Sequence, residues 1–210
     1  MYLPASFRER DRERIFAIIE EHPFASLVVQ GEDGLIGNHL PLVLDRDRGE
    51  HGTLVGHMAR ANPQWKAFAR GGEVLAIFTG PPAYVSPSFY VDPLNVPTWN
   101  YVAVHAAGIA RVFHEERELR PVLERLVATF ERGEPTPWRL DLPGDFLAEL
   151  SKAIVGFEIP IARLEGKLKL SQNRAPADAR GALAGLSARE DPESRAVAAW
   201  MRRIGVGGGE

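Results

Sequence analysis

The chain has no cysteine, which removes disulfides, thiolate metal sites and thiol catalysis. Lysine is nearly as scarce: Lys66, Lys152, Lys167 and Lys169 are the only four among 25 Lys and Arg. No apolar run approaches the length of a membrane span, and the opening MYLPASFRERDRE is charged where a signal peptide would be apolar. The expectation is a cytoplasmic protein with no membrane partner. A basic excess is also missing. The net charge is -3 with pI near 6.1, whereas modules that bind nucleic acid across a whole face are usually basic.

Familiar catalytic signatures are absent as well: there is no GxSxG, no Walker loop, and no GxGxxG opening a helix. The six histidines, at 22, 39, 51, 57, 105 and 114, show neither HxH nor HExxH spacing, so no metal is expected. The acidic residues fall on helical faces, and no pair stands out as an acid and base couple.

What is present is an ordinary globular composition, 45% hydrophobic and 25% charged. The order of elements is mixed. Ser6 with Glu9 forms a capping box for an amphipathic helix carrying Phe7, Ile15, Ile18 and Ile19 and stopping at His22-Pro23. From Ala25 to Tyr101 short apolar runs alternate with turn signals: SLVVQ and LIGNHLPLVL as a hairpin, then TLVGHM, VLAIFTG and the long TWNYVAVHAAGIARVF. ARANPQWKAFARGG reads as about two helical turns with Asn62 as N-cap and Pro63 at the first position. Helical spacing returns at Leu119, Val122, Leu123, Leu126, Val127 and Phe130, and again in DLPGDFLAELSKAI. Phe157, Ile159 and Ile161 then alternate as a strand, and the apolar set switches to Leu168 and Leu170 after Gly166, which predicts a bend there. Two helices follow, the second starting at Asp191-Pro192 and presenting Val197, Trp200, Met201 and Ile204. The GGGE tail reads as mobile. Many short strands with one brief helix among them favour an antiparallel barrel with flanking helices, residues 1–174, and a C-terminal helical extension, residues 175–210.

Three segments carry polar groups that a plain barrel does not need. GNHLPLVL places Asn38, His39 and Pro41 in an apolar strand, which Pro41 interrupts or confines to an edge. LVGHMARANPQW runs from a strand into a helix start, where free N–H groups favour an anion beside Arg60 and Asn62. The third gathers Tyr84, Phe89, Tyr90, Trp99 and Tyr101, with four prolines from Pro82 to Pro97 and with Ser86, Ser88, Asn100 and His105, a set suited to a flat heteroaromatic ligand. EGKLKLSQNR adds three cations within residues 167–174, a phosphate-holding composition.

Taken in order, MYLPASF, HLPLVL, GHMARANPQW, FTGPPAYVSPSFY, VPTWNYVAVHAAG and EGKLKLSQNR closely resemble the PaiB-like family of FMN-binding proteins. That family is named after a negative regulator of protease synthesis and sporulation. The resemblance implies an FMN-binding split β-barrel and a homodimer with FMN at the subunit interface. It points to Asn38, His39 and Leu40, and to His57, Met58, Ala59, Arg60 and Asn62, as cofactor-binding residues. Trp99, Asn100 and Tyr101 would line the isoalloxazine or its partner-subunit side. GNHLPLVL has fewer cations than the matching strands of related oxidases, so Lys167, Lys169 and Arg174 are expected to neutralise the phosphate, with Ser171, Gln172 and Asn173 as neutral donors.

The reading that follows is an FMN-binding transcriptional regulator with no catalytic residue assigned. The alternative is a flavin-dependent reductase or oxidase, or a haem-binding split barrel using His39, His57 or His105. Direct DNA binding has one local candidate, the terminal helix with Arg195, Arg202 and Arg203, and no helix-turn-helix.

Overall fold

The computed structural model describes residues 1–92 and 94–207, so Pro93 and the last three residues of the GGGE tail lie outside it. In chain order the strands are β1 (Arg8–Glu9), β2 (Phe24–Gly31), β3 (Gly34–Pro41), β4 (Val43–Asp45), β5 (Thr53–Ala59), β6 (Glu73–Thr79), β7 (Ala83–Val85), β8 (Thr98–Ile109), β9 (Arg111–Phe113), β10 (Ile154–Pro160) and β11 (Arg163–Lys169). The helices are α1 (Arg12–Glu21), α2 (Gln64–Ala69), α3 (Glu116–Phe130), α4 (Gly144–Lys152), α5 (Pro176–Ser187) and α6 (Pro192–Arg203), with single 3₁₀ turns at Ala5–Phe7 and Pro87–Phe89. The pairs β1–β11, β2–β3, β2–β6, β4–β5, β5–β10, β9–β10 and β7–β8 are all antiparallel, in line with the mainly β expectation.

The chain divides into two compact units: Met1–Ile18 with Thr79–Val104 and Glu165–Glu210, and Ile19–Phe78 with His105–Leu164. In the second unit β2 lies between β3 and β6, and β4, β5, β10 and β9 follow one another in a four-stranded sheet. β3 is an edge strand and ends at Pro41, where Leu42 donates to Pro23 O at 2.9 Å. The proline therefore closes the ladder without leaving a missing donor inside it. α3 packs Leu126, with Val122 beside it, against Val43 and Val55. Burying such side chains contributes about 1.5–3 kcal/mol each.

In the first unit β11 runs between β1 and β8, and β7 pairs with β8. Helices α5 and α6 pack on each other and on β7. α5 also packs on the 3₁₀ turn Pro87–Phe89, so closely that a Cβ at Gly181 would lie 1.9 Å from Phe89 O. α6 begins as expected, with the Asp191 carboxylate accepting from Ser194 N at 2.8 Å, and Val197, Trp200 and Met201 are buried.

Four local expectations are corrected. The first helix starts at Arg12, because Arg8 and Glu9 pair with Lys167 and Gly166. Asp11 caps that helix, accepting from Glu13 N at 3.0 Å, while Glu9 accepts from Arg10 N and Asp11 N. The strand expected from residue 98 to 113 breaks at Ala110, and β9 pairs with β10. A Cβ at Gly108 would meet Pro160 O at 2.1 Å, so a glycine allows the chain to pass there. The bend expected at Gly166 falls instead at residues 161–162, between β10 and β11. Gly166 sits inside β11 because a Cβ would lie 2.7 Å from Ile15 Cγ1. Finally, β10 is buried on both faces rather than alternating, since Phe157 meets Phe68 of α2 on one side and Gly156 faces Leu119 of α3 on the other.

Candidate functional site

The residues singled out in the sequence fall into two groups, one in each unit. In the second unit, Asn38 donates from Nδ2 to the Oε1 of Gln64 at 3.1 Å. Gln64 is fully buried, and its Nε2 donates to Leu27 O and Ile36 O. The pair satisfies backbone carbonyls of the β2–β3 hairpin, and a lost partner there would cost the desolvation of a buried group. His39 is exposed; its Nδ1 lies 3.0 Å from Ser26 Oγ and its ring stacks on Phe24 at 6.2 Å. Leu40 is half-buried.

His57 stands opposite Gly156 in the β5–β10 ladder. Its Nδ1 is buried with no hydrogen-bond partner among the described residues. Burial lowers its pKa, so the ring stays neutral more readily than a solvated histidine. Met58 is packed in the core and offers no side chain to a ligand, while Ala59 is exposed.

Arg60 ties down the end of α4. Its Nε donates to Lys152 O at 2.6 Å, Nη2 to Ile154 O at 2.8 Å, and its backbone N–H to Ala153 O at 2.8 Å. Nη1 lies 3.2 Å from His114 Nδ1. A cavity of about 330 Å³ opens beside Arg60, His114 and Lys152. Asn62 caps α2 by accepting from Gln64 N at 3.0 Å. With only six residues in α2 and that N–H already bonded, the turn is a weaker anion site than its sequence suggested. The two larger cavities, about 550 and 610 Å³, flank α3 and contain none of these residues.

In the first unit, Leu168 on β11 and Leu170 just beyond it are buried. Lys167 and Lys169, two apart on the strand, share one face, but Lys167 is buried as well, so burial along β11 does not alternate as expected. Lys167 is 8% exposed; it donates to Tyr2 O at 3.1 Å, with the rings of Tyr2 and Tyr101 at 5.7 and 5.4 Å. Lys169 donates to Thr98 Oγ1 and to Trp99 O, the latter at 2.5 Å. Burial, then the charges of Lys167 and Arg174, lower the Lys169 pKa. Arg174 donates to Asn95 Oδ1 at 2.5 Å and lies over the Tyr90 ring at 5.0 Å. None of these three cations forms an ion pair among the described residues. Three mutually repelling charges without a carboxylate make a place where an anion gains.

The neutral donors of this stretch are mostly occupied. Ser171 Oγ and Asn100 Nδ2 are 2.9 Å apart and buried. Gln172 folds back, accepting from Leu170 N and donating to Leu168 O, and Asn173 is exposed. Trp99 is 54% exposed and meets Tyr84 edge-on at 5.8 Å.

Sequence reasoning missed Asp178 and Asn95. The buried Asp178 carboxylate accepts from Val91 N, Asp92 N and Asn95 Nδ2, and Asn95 joins it to Arg174. Asp178 reads locally as a first-turn helix acid, and nothing in the sequence ties it to residues 91–95. On the terminal helix, Arg195 bonds Arg189 O, Arg202 bonds Ser187 Oγ, and Arg203 lies over Trp200. Those contacts join α6 to α5, to the connection between the two helices and to itself.

The comparisons with known proteins agree with one another. A family model described as "Putative FMN-binding domain" matches residues 1–163. The protease synthase and sporulation protein PAI 2 of Bacillus subtilis is 36% identical over 203 residues, covering 96% of each chain. An uncharacterized protein of Emericella nidulans is 30% identical over 98% of each. Among solved structures, the FAD and heme binding protein from Mycobacterium smegmatis superposes with a TM-score of 0.59 at 19% identity, over 77% of this chain and 73% of that one. The flavocytochrome Anf3 from Azotobacter vinelandii gives 0.60 at 16% identity, over 77% and 69%. At those identities the likeness is one of fold, and the fold is the split barrel of antiparallel strands with flanking helices.

Proposed function

We propose a function from one premise: this chain belongs to the FMN-binding family whose domain matches residues 1–163. FMN is the cofactor, and the protein is a flavin-binding regulator that works as a homodimer. The observation that carries the reading is the group Lys167, Lys169 and Arg174, three cations in one unit that form no ion pair among the described residues. A flavin mononucleotide brings the phosphate that such a group lacks, and its ring is a partner for the exposed Trp99. When bound, the flavin would supply an electron-accepting ring; the chain's residues hold and orient it. Val91, Leu94 and Val96 are large apolar side chains left exposed near Trp99 in sequence, which supports a second copy as their cover. The regulatory part of the reading is supported by the relative's name as a sporulation protein, and the net charge of -3 favours action without direct DNA contact.

The test is flavin addition to the purified protein at neutral pH, followed by absorbance, with the solution mass measured alongside. A shifted flavin spectrum and a mass of twice 23.2 kDa are expected. Absence of binding at micromolar concentration removes the reading.

A second reading, a redox enzyme, is favoured by the unpartnered buried Nδ1 of His57, a polar atom left for something outside the chain. Steady NAD(P)H consumption with FMN, abolished by His57→Phe, would promote it over the regulator.

A further inference from the structure

We propose that Lys169 is a positioning residue that sets the Trp99 ring, rather than a direct holder of the flavin phosphate; this rests on the FMN reading. The ammonium of Lys169 has three donors. Two of them go to one dipeptide of β8, the hydroxyl of Thr98 and the carbonyl of Trp99. On its other side that dipeptide is fixed by β7, where Tyr84 stands opposite Trp99 and Val85 opposite Thr98. Trp99 is more than half exposed, so packing does little to choose its direction. Its backbone does that work, and Lys169 is the side chain that bonds the backbone at that residue.

The two lysines of β11 are therefore not equivalent. Lys167 donates to the carbonyl of Tyr2 and lies against the Tyr2 and Tyr101 rings, whereas Lys169 bonds the residue that bears the candidate stacking ring. A cation whose donors are already directed at two protein oxygens gives a phosphate one remaining N–H. It still contributes charge, but charge acts at a distance and is screened by salt, while a direct contact is not screened to the same degree. That difference separates the two roles.

The experiment compares FMN with riboflavin, which lacks the phosphate, on the full chain at about 0.5 M salt, where the Debye length falls to a few ångströms. Lys169→Met should weaken both flavins by the same factor, within about threefold, and reduce quenching of each at saturation. Trp99→Leu should do the same, and the double variant should bind no more weakly than Trp99→Leu alone, because both changes remove one interaction. In flavin-free protein, the emission of Trp99, obtained as the difference from Trp99→Phe, should shift to the red in Lys169→Met and return in Lys169→Arg. Loss of FMN by tenfold or more with riboflavin unchanged would overturn the proposal, as would additive losses in the double variant. If Lys169→Met does not fold, Thr98→Val carries the same two-ligand comparison, with Lys169→Arg as the control that keeps both affinities. If wild-type protein binds neither flavin, the FMN reading fails; the flavin-free emission then decides the Lys169–Trp99 link by itself.

Discussion

Asn100 and Ser171 hold each other in the interior, with Asn100 Nδ2 2.9 Å from Ser171 Oγ and Oδ1 3.3 Å from the same hydroxyl. Ser171 keeps a backbone φ of 67°, the one positive value at a non-glycine residue among those described. The bond and the left-handed backbone belong together: the turn after β11 brings the hydroxyl to the amide. Ser171→Ala should lose about 1–3 kcal/mol of unfolding free energy, because it leaves Asn100 buried and short of a partner. Ser171→Gly should lose about 1 kcal/mol less, since glycine accepts positive φ without a Cβ clash. Urea unfolding of the two variants gives the order.

Asp178 should matter more than a surface acid in a helix's first turn. Its buried carboxylate receives Val91 N at 2.7 Å, Asp92 N at 3.2 Å and Asn95 Nδ2 at 3.3 Å. Asp178→Ala is expected to cost about 1.5–3 kcal/mol, the range for hydrogen bonds to a charged group. Hydrogen exchange at the amides of Val91 and Asp92 should accelerate in that variant, while the amides of β5 and β10 keep their protection.

Arg174 has a planar fork with one donor on Asn95 and no further acceptor for the others among the described residues. Arg174→Ala should weaken FMN by about tenfold to a hundredfold, the equivalent of about 1.5–3 kcal/mol. Riboflavin affinity should stay the same, because only the phosphate is lost as a partner. Equal losses for both ligands would remove Arg174 from the phosphate site.

Acid should destabilise the protein through two carboxylates. For Asp45, the hydrogen bond from Arg125 lowers the pKa against the opposing effect of burial. For Glu158, burial pushes up, but the hydrogen bonds and charges of Arg111 and Arg48 outweigh it and leave the pKa lowered. A carboxylate that stays ionised in the folded chain while its unfolded counterpart takes up a proton contributes stability above the ordinary range, about pH 4. That contribution is lost as pH falls through the folded value. Arg48 and Arg111 remain about half exposed, so Glu158→Gln should cost only about 1 kcal/mol at pH 7. Its stability curve should be flatter than wild type between about pH 5 and pH 3, measured by thermal unfolding across that range.

His57 works in the neighbouring window. Burial lowers its pKa, so below the ordinary histidine range the unfolded chain binds a proton that the folded chain resists. Stability should therefore fall as pH drops below about 6.5, and His57→Asn should reduce that slope.

The features legible in the sequence were those that repeat locally. The spacing of Leu168 and Leu170 gave their burial, and Asp191-Pro192 gave the start of α6. Pro41 gave the end of β3. The errors arose where a distant segment supplied the deciding contact. The Ser6–Glu9 capping box yielded to strand pairing with residues 166–167, and the apparent bend at Gly166 was the space needed by Ile15. Of the candidate site, the residue types, the Asn62 cap and the clustering of cations were readable, but the occupied donors of Arg60 and Lys169 were not. A hydrogen-bond acceptor some seventy to ninety residues away leaves no periodic trace.

The sequence by itself determined the family, the antiparallel β class, the absence of thiol chemistry and the presence of a lysine pair on one strand face, because order of motifs, composition and period two are local properties. Tertiary structure alone decided which of those groups are free to meet a ligand. Lys169 could have pointed to solvent; it reaches the carbonyl of Trp99 because β8 and β11 lie side by side. A partly desolvated ammonium must take the acceptors that the fold places within its reach.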